Sequence, residues 1–168
     1  MKRILITGMS GTGKSTVVSA LAALGYQAVD ADCDKFSAWV AVSDDAGTPG
    51  TPVEADRDWV WRTDRMQALL STEDTDLLFV SGCAPNMGQF LPQFDHVILL
   101  SAPAAVIVER LATRTNNAYG QRPAEVARVL DLIETVEPLL RRVADYEIDT
   151  SVPLDELVAA VLQLVQPA

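Results

Sequence analysis

The chain has 168 residues, of which 49% are apolar and 21% charged, a balance typical of a folded domain and unlike that of a disordered segment. The net charge of −10 argues against a nucleic-acid partner, because binding to a phosphate backbone needs clustered Lys and Arg. The apolar runs are too short for a membrane span or a signal peptide. We therefore expect one cytoplasmic domain over residues 1–168, with no membrane partner.

Strands and helices alternate in the first part of the chain. An apolar strand is predicted at Arg3–Thr7, a helix at Lys14–Leu24 and a second strand at Gln27–Asp30. The polar segment Ser43–Asp56 contains several Gly and Pro residues, which predicts a loop. A helix is expected to follow at about Arg57–Leu70.

The second part continues the alternation. Two short apolar runs, Leu77–Val80 and His96–Leu100, predict buried parallel strands. A helix is predicted at Ala104–Thr113, followed by a break at Asn116–Pro123 within a lid at about 114–123. A helix from Ala124 to Val143, interrupted at Pro138, comes next. The last predicted elements are a strand at Tyr146–Ile148 and a helix from Leu154.

This order of elements predicts the fold class. Strands that alternate with helices form a parallel sheet covered on both faces, so we expect a three-layer, doubly wound α/β domain. Ligands of such sheets bind beyond the carboxyl ends of the strands.

A phosphate-binding motif lies between the first strand and the first helix. Gly8–Ser15 fits G-x-x-x-x-G-K-[ST], and both halves of its required context are present. Backbone N–H groups and the helix N-terminus favour an anion there, Lys14 can reach the β/γ-phosphates, and Ser15 would ligate Mg²⁺. The predicted contacts to ATP or GTP are Gly8, Ser10, Gly11, Thr12, Gly13, Lys14, Ser15 and Thr16. The motif alone does not distinguish kinases from ATPases or GTPases.

With this motif and this element order, the chain resembles the small P-loop kinases that include shikimate kinase, gluconate kinase and, more distantly, adenylate kinase. The resemblance covers nearly the whole length. It implies a P-loop NTPase fold of the nucleoside-monophosphate-kinase type with five strands, ATP and Mg²⁺ as cofactors, and a small-molecule acceptor hydroxyl.

The segment Val29-Asp30-Ala31-Asp32 is similar to the Asp-x-Asp of shikimate kinases. The resemblance implies that Asp32 contacts the acceptor hydroxyl and that Asp30 lies on the Mg²⁺ water shell. The alternative is a group of loop or helix-capping acids. Shikimate kinases place three glycines after the third strand, where this chain has Ser81-Gly82-Cys83, which argues for a different acceptor pocket.

Two arginines lead into the predicted lid. Arg110 and Arg114 resemble the residues of these kinases that stack on adenine and meet the phosphates, and Arg114 is thereby a catalytic candidate. The alternative is an exposed pair of helix arginines. The loop that includes Thr150 resembles the segment that walls the adenine, although Ser151 and Pro153 also fit a helix start.

The acceptor side is predicted in the region 43–70. Arg62 and Arg65 lie three residues apart, so on the expected helix they would share a face and could hold a carboxylate or phosphate. The alternative is solvated arginines beside core tryptophans. Gly82 and Asn86 are further acceptor candidates.

We therefore predict an ATP-dependent kinase with Lys14, Asp32 and Arg114 as catalytic residues and a small molecule as acceptor. The alternatives are a nucleoside or nucleotide kinase and a regulatory module that binds nucleotide without transferring phosphate. The sequence leaves the acceptor, the choice between ATP and GTP, and the oligomeric state open.

Overall fold

A computed structural model describes residues 1–41, 57–115 and 120–166 of the chain. The strands are β1 (Lys2–Thr7), β2 (Gln27–Asp30), β3 (Ser37–Ala41), β4 (Arg57–Trp61), β5 (Leu77–Ser81), β6 (His96–Ser101) and β7 (Tyr146–Asp149). The helices are α1 (Lys14–Ala23), α2 (Thr63–Leu70), α3 (Ala104–Thr113), α4 (Pro123–Thr135), α5 (Glu137–Val143) and α6 (Leu154–Val165).

A five-stranded sheet in the order β2-β5-β1-β6-β7 forms the centre of the fold. All of its pairings are parallel. The central strand β1 is apolar because both of its faces are covered, and Ile4, Leu5 and Ile6 are fully buried. The predicted three-layer α/β fold is confirmed.

Two apolar clusters pack on the opposite faces of this sheet. On one face, Ile4 and Ile6 pack with residues of α1 and α6, including Leu21 and Val161. On the other face, Leu5 packs with residues of α2, α4 and α5. The alternation of side chains along β1 therefore divides the core between the two helical layers.

A second, two-stranded sheet corrects one prediction. The helix expected at Arg57–Leu70 is wrong for its first six residues, because Arg57–Trp61 is strand β4, antiparallel to β3, and Arg62 is extended. Aromatic and β-branched residues in this stretch suit a strand, and the helix begins only at Thr63. The loop predicted at 43–56 lies outside the described residues.

The helix predicted from Ala124 to Val143 is interrupted, as expected. Helix α4 ends at Thr135 and α5 begins at Glu137, since Pro138 has no N–H to donate to the preceding turn. Within the predicted lid, residues 116–119 lie outside the described part.

The parallel strands bring the chemically interesting loops to one edge. Thr7, Asp30, Ser81, Ser101 and Asp149 end the strands of the large sheet, and a parallel sheet places all these carboxyl ends together. Among the described residues, no helix is both long and apolar enough to span a membrane.

Candidate functional site

The phosphate-loop motif forms a closed turn between β1 and α1. Gly11 and Gly13 have φ values of +84° and +97°, which other residues rarely adopt. The Lys14 ammonium donates to the carbonyls of Gly8 at 2.7 Å and Met9 at 2.9 Å. The loop thus folds around Lys14 at the start of a helix, which is the arrangement that binds phosphate.

A cleft of about 400 Å³ opens beside this loop. Its lining includes two acids, Asp30 and Asp32, and two arginines, Arg110 and Arg114. The structure therefore brings together most of the predicted nucleotide contacts: Ser10, Gly11, Gly13, Lys14, Ser15, Thr16, Arg110 and Arg114. Thr12 is fully buried beneath the loop, where its hydroxyl donates to the Met9 carbonyl.

Two of the residues that line the cleft, Ser15 and Asp30, are in direct contact. The Ser15 hydroxyl donates to Asp30 Oδ2 at 3.1 Å, and Asp30 Oδ1 accepts the backbone N–H of Asp32 at 2.9 Å. A hydroxyl and a carboxylate are oxygen ligands of the kind that Mg²⁺ takes. This pair fits a magnesium ion.

Asp32 is held at both carboxylate oxygens. Its Oδ1 accepts the indole N–H of Trp61 at 3.1 Å, and its Oδ2 accepts the backbone N–H of Cys83 at 3.1 Å. Burial raises the pKa of Asp32 to about 6, although the charge of Lys14 and the hydrogen bond from Trp61 pull it downward. The carboxylate is fixed in position and can accept a proton near neutral pH.

Gly82 allows this arrangement by its lack of a side chain. A Cβ atom at this position would lie 2.8 Å from Asp32 Oδ1 and 2.9 Å from Trp61 Cζ2. Gly82 therefore permits the close approach of Trp61 to Asp32.

A small cavity of about 40 Å³ also borders Asp32. It is lined by Gly8, Met9, Ser10, Lys14, Asp32, Cys83, Val129 and Leu132. Ser10, Lys14 and Asp32 line both this cavity and the phosphate cleft. The small cavity and the phosphate cleft therefore share the Asp32 carboxylate and the Lys14 ammonium.

Arg110 connects the phosphate loop to the loop after β7. Its guanidinium donates to Thr150 Oγ1 at 2.8 Å and to the Thr150 carbonyl at 2.6 Å. Both residues line a groove of about 210 Å³. Val152, Leu154 and Leu157 give this groove an apolar wall, which suits a flat ring such as a nucleobase.

The predicted acceptor residues are placed differently from the sequence expectation. Arg62 precedes α2 in extended conformation, so it shares no helical face with Arg65, and its Nε donates to the Ser37 carbonyl at 3.2 Å. The side-chain amide of Asn86 donates to the Trp61 carbonyl and accepts the Trp61 N–H. Asn86 therefore fixes the end of β4, and neither arginine lines the cleft or the small cavity.

Sequence reasoning missed several residues around Asp32. These are the indole of Trp61, the backbone N–H of Cys83, and the apolar walls of the cavity formed by Met9, Val129 and Leu132. The sequence held no signal for Cys83, because its position depends on the pairing of β5 with β2, which places Ser81 opposite Asp30. The residues just after each strand are then neighbours.

Comparisons with known proteins cover most of the chain. The model of the AAA domain family matches residues 4–131. Shikimate kinase 2 from Yersinia enterocolitica is 29% identical over 172 aligned positions, which span 96% of this chain and 94% of that protein.

Solved structures show the same fold. Shikimate kinase from Acinetobacter baumannii in complex with shikimate is 25% identical, with a TM-score of 0.65, and the match covers 98% of this chain and 93% of that one. A gluconokinase from Sinorhizobium meliloti 1021 is similar in fold at 20% identity and a TM-score of 0.59, covering 96% and 90% of the two chains.

Proposed function

The chain belongs to the AAA domain family and is an ATP-dependent small-molecule kinase, and we propose that it phosphorylates its acceptor hydroxyl with Asp32 as proton acceptor. One observation carries this proposal. Asp32 and Lys14 line both the phosphate cleft and the small cavity, so a hydroxyl in the cavity and a phosphoryl group in the cleft would meet between them.

Asp32 suits the part of general base. The acceptor oxygen attacks the γ-phosphorus, its proton passes to the Asp32 carboxylate, and ADP leaves with the electrons of the broken P–O bond. A base with a pKa of about 6 is ionised at neutral pH and still basic enough to take a proton. Trp61 and Cys83 hold both oxygens, which keeps the carboxylate aimed at the acceptor.

Lys14, Arg110 and Arg114 supply positive charge to the cleft. The Lys14 ammonium is bonded to loop carbonyls, and it can exchange these for phosphate oxygens. Arg110 and Arg114 line the same cleft as Lys14, where Arg114 would contact the transferring phosphoryl group. Charge stabilisation of this kind provides most of the rate in phosphoryl transfer.

Ser15 and Asp30 would hold Mg²⁺, which would supply positive charge to offset the charge that develops on the phosphate groups. The nucleobase would lie in the groove beside Thr150 and Val152. Arg110 lines both the groove and the cleft, so one side chain links base and phosphate binding.

The test is ADP release from Mg·ATP in the presence of pooled small-molecule acceptors. Wild-type protein should release ADP faster with one pool, and Lys14→Ala should abolish that release. Asp32→Asn should bind ATP normally but lose transfer by about 100-fold or more, the usual contribution of a positioned base. Tight ATP binding with no stimulation by any pool would indicate a nucleotide-binding regulatory module instead.

A further inference from the structure

Residues 82–86, which follow β5, reach Asp32 by two routes. The backbone N–H of Cys83 donates directly to Asp32 Oδ2. The side-chain amide of Asn86 binds the N–H and the carbonyl of Trp61, whose indole donates to Asp32 Oδ1. Resting on the function proposed above, we propose that Asn86 is a positioning residue, which holds the proton acceptor Asp32 in place through Trp61 rather than by contact with the acceptor.

The Asn86 amide matches the outer edge of β4. Its Oδ1 accepts the Trp61 N–H at 3.0 Å, and its Nδ2 donates to the Trp61 carbonyl at 2.8 Å. The next N–H along the strand, that of Arg62, donates to the Phe36 carbonyl at 2.6 Å, on the β3 side. Since successive residues of a strand direct these groups to opposite sides, Trp61 has its N–H and carbonyl turned away from β3. Loss of the amide would leave both groups without these bonds, which is costly where they are partly buried.

Asn86 is itself fixed relative to the large sheet. At the start of its loop, the Gly82 N–H donates to the Ile6 carbonyl on β1 at 3.1 Å. Four residues after Asn86, Phe90 is buried, and its ring packs on the Trp61 indole with the ring centroids 5.9 Å apart. The same short segment therefore holds both the backbone and the ring of Trp61.

The position of Asn86 favours support over contact with the acceptor. Among the described residues, it lines neither the small cavity nor the phosphate cleft. Both heteroatoms of its amide are bonded to Trp61. An effect of Asn86 on transfer would therefore pass through the tryptophan to Asp32.

The first measurement needs neither ATP nor acceptor. It follows the indole N–H resonance of Trp61 in full-length protein labelled with ¹⁵N-tryptophan. The chain has three tryptophans, and Trp61→Phe identifies the resonance by its absence. In the wild-type protein the resonance should shift with pH as Asp32 titrates at about 6. In Asn86→Ala the midpoint should rise by as much as about one unit, because a weaker indole hydrogen bond stabilises the carboxylate less.

The substitution leaves in place the titratable groups that act on Asp32. Lys14 in the phosphate loop and Asp30 on β2 both influence the pKa of Asp32. Burial raises the pKa of the Cys83 thiol above its ordinary value of 9.0, so this thiol stays neutral around pH 6. Gln89→Ala is the matched control, because it removes an exposed amide from the turn that follows. It should leave the midpoint unchanged.

The second measurement uses an acceptor identified by the ADP-release assay. Asn86→Ala should lower kcat and move the acid limb of kcat/KM upward, with KM for the acceptor unchanged. Because Asn86 acts through Trp61, the double variant Asn86→Ala with Trp61→Phe should move the limb no further than Trp61→Phe alone. Asn86→Ser, which keeps a polar atom at this position, replaces Asn86→Ala if that variant does not fold.

Three outcomes would overturn the inference. These are an unchanged midpoint in the Asn86 variant, a double variant whose shift is the sum of the two single shifts, and a raised KM for the acceptor with an unmoved acid limb. The last would make Asn86 an acceptor contact. A midpoint that rises in a protein without acceptor-stimulated ADP release would support the role of Asn86 at Asp32 and count against the kinase function alone.

Discussion

The indole N–H of Trp61 donates a 3.1 Å hydrogen bond to Asp32 Oδ1, which joins the two-stranded sheet to the carboxyl end of β2. Asn86 fixes the same tryptophan through its backbone N–H and carbonyl. Trp61 is almost fully buried, so its ring has little freedom. The two-stranded sheet is therefore part of the support for the acid.

Replacing Trp61 with Phe tests this support through pH dependence. Transfer needs ionised Asp32, so the rate of the wild-type protein should fall as the pH drops through about 6. Loss of the indole donor destabilises the carboxylate, which raises the pKa of Asp32 and moves the acid limb of kcat/KM up by as much as about one unit. Trp39→Phe, in the same two-stranded sheet, is the control. An unchanged acid limb in Trp61→Phe would contradict the role given to Asp32.

Replacing Gly82 with Ala tests the close packing at the acid. The new Cβ would lie 2.8 Å from Asp32 Oδ1 and 2.9 Å from Trp61, so one of them must move. Displacement of a reacting group by about 1 Å can cost about 100-fold in rate, and we expect a loss of that order in kcat/KM with ATP affinity retained. Gly88→Ala is the matched control, because a Cβ there meets no atom within 4 Å. Full activity in Gly82→Ala would show that the acid tolerates displacement.

Much of the fold was predictable from local sequence. The phosphate loop and the strand and helix on either side of it each have a pattern contained within a few residues, and the predicted site residues Lys14, Ser15 and Asp30 line one cleft. The strand Arg57–Trp61 was missed because its pairing partner, Ser37–Ala41, lies across a long intervening segment. Because the adjacent segment Thr63–Leu70 has a helical pattern, the predicted helix was started too early, at Arg57.

The contacts around Asp32 were less predictable for a related reason. Trp61 and Cys83 are 29 and 51 residues from Asp32, and their meeting depends on the strand order and register of the sheet. The sequence also suggested a shared helical face for Arg62 and Arg65, which fails because Arg62 lies before the helix. Local periodicity does not report which elements will be neighbours.

Glu137 provides a prediction about stability. It is buried at the start of α5, Arg141 binds its Oε1 at 3.1 Å, and Oε2 has no partner among the described residues. Burial raises the pKa of Glu137 above its ordinary value of 4.5, so the folded state holds this proton more tightly than the unfolded state does. Its contribution to stability is therefore greatest below pH 4.5 and declines as the pH rises through the range above it.

Glu137→Gln removes this titration. The free energy of unfolding of the wild-type protein, relative to the variant, should decrease as the pH is raised from about 4 to about 7. Urea unfolding at several pH values measures the difference, and Glu134→Gln, at an exposed acid on α4, is the control. If the free energy of unfolding of the wild-type protein instead increases relative to the variant as the pH rises, the ion pair with Arg141 has a larger effect on the pKa of Glu137 than burial has.

Arg110→Lys tests the connection between the phosphate loop and the nucleobase groove. Lysine keeps the charge but cannot reproduce the two-point contact of Arg110 with Thr150 Oγ1 and the Thr150 carbonyl. A cation that is no longer held by Thr150 would lose its own charge-assisted hydrogen bond to the nucleotide, worth about 1.5 kcal/mol or more, so KM for ATP should rise about tenfold. Initial rates against ATP concentration and calorimetric binding of a non-hydrolysable analogue measure the effect. Arg142→Lys, at an exposed position in the last turn of α5, should leave both unchanged, and an equal effect of the two substitutions would remove Arg110 from the nucleotide site.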